Sequence, residues 1–259
     1  MNVGEIAAKI EERLPLEWSE SWDNSGLLIG DPSAPIEKIA VSLDATESTV
    51  LDAKEHGCGM LVAHHPAIFH PLKKIVSPSP AAAMIRAAIS GGIAVYSAHT
   101  NWDSSPEGVN VILSRQLGLR GVCPIVPPHD GAWGMGAIGD LARPMTVNSL
   151  ARRLKELWGL SALLSYGDGV TPLSRVALCG GAGGDFLQTA INMGADVFVT
   201  ADVGYHYILH AQLTGTHLIV ANHGEMERAS LPDFCGLIRE VSSLDVVLLE
   251  NSNWTPLVI

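Results

Sequence analysis

This chain repeats itself, and the repeat decides which fold classes stay open. The segment KIAVSLDATESTVLDAKEHGCGMLVAHH (38–65) aligns without a gap on RVALCGGAGGDFLQTAINMGADVFVTAD (175–202), at an offset of 137 residues. Ile39 meets Val176, Val50 meets Leu187, Ala53 meets Ala190, Gly57 meets Gly194 and Val62 meets Val199. Farther on, GIAVYSAHTNWD (92–103) aligns with THLIVANHGEME (216–227) at an offset of 124, so that His99 falls on His223 and Asp103 on Glu227. A repeat of this kind is one supersecondary unit used twice.

Each copy reads strand, helix, strand, helix, strand. Residues 38–43, MLVAHHP and IAVYSA are continuous apolar runs, the pattern of strands buried on both faces. Between them, 47–56 has apolar residues at helical spacing with Gly57 as a stop, and the Ala-rich 80–90 is closed by Gly91-Gly92. Buried strands alternating with helices predict parallel βαβ units, hence an α/β fold of two similar domains. The expected first domain is 1–124 and the second 125–259, with a linker in PIVPPHDG (124–131) and 125–172 supplying linker plus helix. Outside the repeats, Ile6, Ile10 and Leu14 predict an amphipathic helix over 4–14. Residues 146–158 predict another, with Thr146 as N-cap.

Composition narrows the function classes. With 47% hydrophobic and 17% charged residues, the chain is neither disordered nor fibrous. A net charge of −11 opposes binding to a nucleic-acid backbone, which needs a basic face. No apolar run reaches the roughly 18–20 residues of a membrane helix, since Arg86 interrupts the best stretch. The acidic N-terminus is no secretory signal. The four cysteines form no C-x-x-C pair, which predicts reduced thiols and a cytoplasmic location.

Ligands of parallel α/β sheets bind at the carboxyl ends of the strands. In the first copy these ends carry His64-His65 and His99-Thr100-Asn101-Trp102-Asp103. In the second they carry Asp202 with Tyr205-His206, and His223 with Glu225 and Glu227. Imidazole mixed with carboxylate is ligand chemistry for Zn, Fe, Mn, Ni or Co, whereas Ca and Mg prefer oxygen cages. Five or six such groups exceed one tetrahedral ion and suit two ions. His-x-x-x-carboxylate puts both groups on one side of a helical turn. A histidine taken singly is more often a hydrogen-bonded surface or core residue, and His56, His70, His129, His210 and His217 are read so. The glycine stretch 180–184 lacks the Lys-Ser/Thr of a phosphate loop and is read as a tight turn into a helix at 185–193. The Trp22-Asp23-Asn24 turn is open to two readings, structural turn or site-lining loop.

WDNSGLLIG, LVAHHPAIF, YSAHTNWD, VALCGGAGGDFL, TADVGYH and NHGEMER occur in this order. Together they resemble the Nif-three-like dinuclear-metal-centre hexameric proteins, the GTP cyclohydrolase 1 type 2 homologues, over about residues 4–250. The resemblance implies a homohexamer, a trimer of dimers, with two divalent ions per chain in the cleft between the domains. It implies His64, His65, Asp103, His223 and Glu227 as metal ligands and His99 beside them as a proton-transfer group. Glu225 falls outside that ligand set. The implied function is metal-dependent hydrolysis of a small molecule, a nucleotide by the family name; the alternative is a non-enzymatic metal-binding regulatory or scaffold protein. Two departures stand out: TGD is here Thr200-Ala201-Asp202, and Met226 precedes Glu227 where Ser or Thr is usual.

Overall fold

The computed structural model describes residues 1–127 and 132–249; residues 128–131 of the expected linker, with His129, and residues 250–259 lie outside the described residues. In chain order the strands are β1 (Gly26–Ile29), β2 (Lys38–Ser42), β3 (Met60–Ala63), β4 (Ala94–Ser97), β5 (Arg120–Cys123), β6 (Ala137–Thr146), β7 (Leu163–Tyr166), β8 (Pro172–Ala182), β9 (Val197–Ala201), β10 (His217–Ala221) and β11 (Asp245–Leu248). They build an α/β fold with two mixed sheets, in two compact units. One unit holds Met1–Trp102 and the described residues from Leu231 onward; the other holds Asp103–Ser230.

The first sheet has the order β1-β4-β3-β2-β11. Strands β11, β2, β3 and β4 run parallel, and β1 closes the edge antiparallel to β4. Helices Glu47–Glu55 and Pro80–Gly91 bury Val50, Ala53, Met84, Ile85 and Ala88 against Ala40, Leu61 and Val95. Helices Val3–Arg13 and Leu231–Ser242 pack on each other, the first also on β1 and the second on β2 and β11. The first of these is capped by Asn2, whose side chain accepts from the Glu5 N–H while Glu5 reaches back to the Asn2 N–H. Ile6, Ile10 and Leu14 are fully buried, as their spacing predicts, and each contributes roughly 1.5–3 kcal/mol. The helix Pro80–Gly91 starts at Ser79 with proline in its first turn and ends on Gly92 in the left-handed region, the ending predicted from Gly91-Gly92.

The second sheet has the order β5-β6-β8-β9-β10-β7. The three repeat strands β8, β9 and β10 are parallel, whereas β5, β6 and β7 pair antiparallel. The parallel units predicted from the repeat are therefore present, but antiparallel strands flank them and make both sheets mixed. Likeness between the copies also extends beyond the aligned segments: β7 lies beside β10 as β1 lies beside β4, both antiparallel. The helix Val147–Trp158 precedes β7 as Val3–Arg13 precedes β1. Thr146 caps it by accepting from the Ser149 N–H. One departure concerns the glycine stretch. Gly184–Phe186 is a 3-10 turn and the α-helix spans only Leu187–Asn192, because the chain must first turn out of β8. No helix among the described residues is long and apolar enough to cross a membrane.

Candidate metal centre

Parallel register levels the strand ends. In the first sheet Ser42 pairs with Ala63 and Ala63 with Ser97, so the residues after β2, β3 and β4 emerge at one edge. Those residues include Asp44, His64-His65 and His99. Antiparallel β1 begins at the same edge, with Gly26 opposite Ser97, which brings the Trp22–Ser25 turn there too. The three imidazoles form one cluster. Their ring centroids lie 5.0, 5.3 and 5.7 Å apart, and a nitrogen from each falls within 4.8 Å of the others, a grouping that can hold a metal ion.

Each of these rings is held by its Nδ1. His64, buried, places Nδ1 2.9 Å from the Ala98 carbonyl oxygen. His65 places Nδ1 2.7 Å from Asp44 Oδ1, and His99 places it 2.7 Å from Asp23 Oδ1. A carbonyl or carboxylate oxygen can only accept, so in the neutral ring Nδ1 carries the proton and Nε2 the lone pair. This is the arrangement of metal-ligating histidines, whose other ring nitrogen donates to an oxygen. Asp23 is itself fully enclosed. Burial alone would raise its carboxyl, but hydrogen bonds from His99 and Thr100 hold it far below the ordinary carboxylate range. The Thr100 N–H donates to Asp23 Oδ2 at 3.0 Å and the Ser25 hydroxyl at 3.1 Å. Of the two readings of the Trp22-Asp23-Asn24 turn, the geometry supports the site-lining one.

The second unit builds its set from β8, β9 and β10. His223 opens the helical turn His223–Arg228, capped by Asn222, whose side chain accepts from the Glu225 N–H at 3.0 Å. Its Nδ1 lies 2.6 Å from Asp202 Oδ2 and its Nε2 3.1 Å from Glu227 Oε2, four residues on. With Nδ1 donating to Asp202, Nε2 and the Glu227 oxygen face each other as two electron-pair donors. Only a shared cation, a proton or a metal ion, makes that pairing favourable. The end of β8 makes room for it. A Cβ on Gly181 (φ +69°) would lie 2.4 Å from Glu227 Oε1 and 3.1 Å from His223 Nε2. Glycine is thus required by both conformation and close approach. Within the stretch 180–184 it is Gly181 that leaves room for the His223–Glu227 pair. The donor chemistry and this cradle fit a divalent ion.

Asp103 is buried at the end of the short helix Thr100–Asp103. Burial drives the Cys179 thiol well above its ordinary value, and the charges of Asp103 and Glu227 raise it further, which puts both carboxylates near one side chain. Cys179 is expected to stay unmodified by iodoacetamide at pH 7.5 and to react only once denaturant opens the unit, as peptide mass mapping would show. Glu225 points elsewhere, accepting from the Ser161 N–H at 2.8 Å and the Ser161 hydroxyl at 3.0 Å. His206 is exposed beside Tyr205. His56 and His210 are hydrogen-bonded to Asp52 and Gln188, and His217 is buried. Asp44 went unread in the sequence. Its only signal was its place just past the first repeat strand, where a lone aspartate also suits an ordinary turn.

Comparison with known proteins agrees with this architecture. A GTP cyclohydrolase 1 type 2 homolog of Clostridium perfringens is 32% identical over 247 residues, covering 95% of this chain and 94% of that protein. NIF3-like protein 1 of Drosophila melanogaster is 29% identical over 238 residues, 90% and 80% of the two chains. A crystal structure of a Bacillus cereus protein related to NIF3 superposes with a TM-score of 0.91 at 22% identity, covering 100% of this chain and 99% of that one, a likeness of fold. Residues 1–253 match the family description as a whole, and the chain belongs to the Duf34/NIF3 (NGG1p interacting factor 3) family.

Proposed function

We propose that the protein is a metal-dependent hydrolase whose two divalent ions are held by His64, His65, Asp103, His223 and Glu227. The observation that carries this reading is the uniform handling of the imidazoles. His64, His65 and His223 each engage Nδ1 with an oxygen and so present Nε2. A pair of divalent ions, when bound, supplies Lewis acidity and a nucleophile drawn from water near neutral pH.

The chain's own groups do the rest. His99, held by Asp23, presents Nε2 beside His64 and His65 and is the group placed to relay a proton. Trp22 and Phe69 stand next to it, with ring centroids 6.1 and 6.3 Å from the imidazole, and both are exposed. Aromatic faces at such a place suit the stacking of a planar base, which supports a nucleotide substrate of the kind named for the Clostridium relative. For GTP, one water would open the imidazole ring at C8 and a second would release that carbon as formate. The same reading includes assembly as a homohexamer, checked by light scattering.

The deciding measurement combines metal analysis with a nucleotide panel. Protein reconstituted with Zn, Mn or Fe is expected to hold about two ions per chain and to turn over GTP or another nucleotide. The His64→Ala, Asp103→Ala double variant is expected to lose at least about 100-fold in rate, as for removal of groups that act as a unit. Equal turnover by that variant would refute the hydrolase. Two ions without turnover across the panel would favour a metal-binding scaffold instead.

A further inference from the structure

We propose that Asp202 is a positioning residue, retained at a conformational cost to orient His223 toward a bound cation; this rests on the metal reading above and names a part of it. Three observations converge. Asp202 has φ +52°, inside the left-handed region, which aspartate enters more readily than most side-chain-bearing residues but at a cost that glycine does not bear. Its side chain is 60% exposed, so burial does not explain its presence. Yet its Oδ2 lies 2.6 Å from His223 Nδ1, and the opposite nitrogen of that ring faces Glu227. A non-glycine residue held in a disfavoured conformation beside a reactive ring points to function.

The repeat explains why the acceptor comes from this position. At the offset of 137, Asp44 corresponds to Gly181 and His65 to Asp202. In the first copy the end of the first repeat strand supplies the acceptor and the second supplies the imidazole: Asp44 holds His65. In the second copy a side chain at 181 would collide with Glu227 and His223, so that strand end cannot supply an acceptor. The carboxylate sits instead at the end of the second repeat strand, and it holds the imidazole of the third. Where the first copy places a ligand, the second places the group that aims one.

The proposal sets stability against affinity. Asp202→Gly relieves the backbone and removes the carboxylate. The melting temperature of the metal-stripped variant is expected to equal or exceed that of the parent, while Zn affinity in a chelator competition falls by about 10–100-fold. Asp202→Asn keeps an acceptor oxygen and is expected to fall between the two. Nitrogen NMR of the stripped protein reads the orientation directly: His223 is expected to carry its proton on Nδ1 in the parent and to lose that preference in Asp202→Gly. A residue of purely structural worth would lower the melting temperature and leave the ring unchanged, which would overturn the proposal. If His223→Ala weakens Zn binding but Asp202→Gly does not, the positioning role alone fails. If His223→Ala leaves Zn binding intact, the metal reading fails and the proposal with it.

Discussion

Gly181→Ala is expected to abolish tight metal binding while leaving a folded protein. Two costs arise together. The left-handed backbone at φ +69° penalises any Cβ by about 1–2 kcal/mol. The new methyl would also stand 2.4 Å from Glu227 Oε1 and 3.1 Å from His223 Nε2. Those side chains can swing away, so the fold survives, but the pair is then no longer aimed at one point. A loss of about 100-fold or more in Zn affinity is expected, in line with the sensitivity of metal sites to displaced ligands. Gly194→Ala is the matched control. Its φ is +80°, and a Cβ there meets nothing within 4 Å, so it bears the backbone cost alone. Comparable destabilisation of both variants with metal affinity lost only in the first is the expected pattern. Equal affinities would show that the space above Gly181 does not matter.

Phe234→Ala is expected to cost about 3–5 kcal/mol, the range for emptying a fully buried aromatic site. Phe234 belongs to the helix Leu231–Ser242, and its ring lies 4.9 Å from that of Trp102, tilted by 33°. Both rings are almost completely buried. That helix packs on β11, which follows it in the chain, and on β2, which is far from it in sequence. The loss is therefore expected to fall on the first sheet. Hydrogen exchange should quicken across β2, β3 and β11 while β9, in the other unit, keeps its protection. Uniform loss of protection in both sheets would contradict that assignment.

Most strands read correctly from sequence are continuous apolar runs, buried at nearly every position, as in β2, β3, β9 and β10; Leu27-Leu28-Ile29, also read as a strand, is the half-buried exception. Those left unread break that rule. β5 is exposed or half-buried throughout, β7 is exposed at its two central residues, and β6 is buried only over its first three. β5 and β7 are edge strands with one wet face, and β6, though paired on both sides, is exposed over most of its length, so all three carry little signal. β11 is short and mostly half-buried, and its place beside β2 depends on the chain returning after Ser230, which no local pattern announces. The site shows the same division. The repeat and the strand ends mark His64, His65, His99, Asp103, His223 and Glu227 as candidates. Asp44 is not so marked, and Asp23 is legible only as one of two readings of a turn.

Local chemistry determined the helices, their caps, the buried strands and the list of residues able to bind a cation, because spacing and side-chain type act over a few residues. Which oxygen meets which imidazole nitrogen was decided by the tertiary structure alone. Asp23 reaches His99, Asp44 reaches His65 and Asp202 reaches His223 across sequence gaps of 76, 21 and 21 residues. A hydrogen bond depends on distances of a few tenths of an ångström, and only the register of strands and the close approach at Gly181 set those distances.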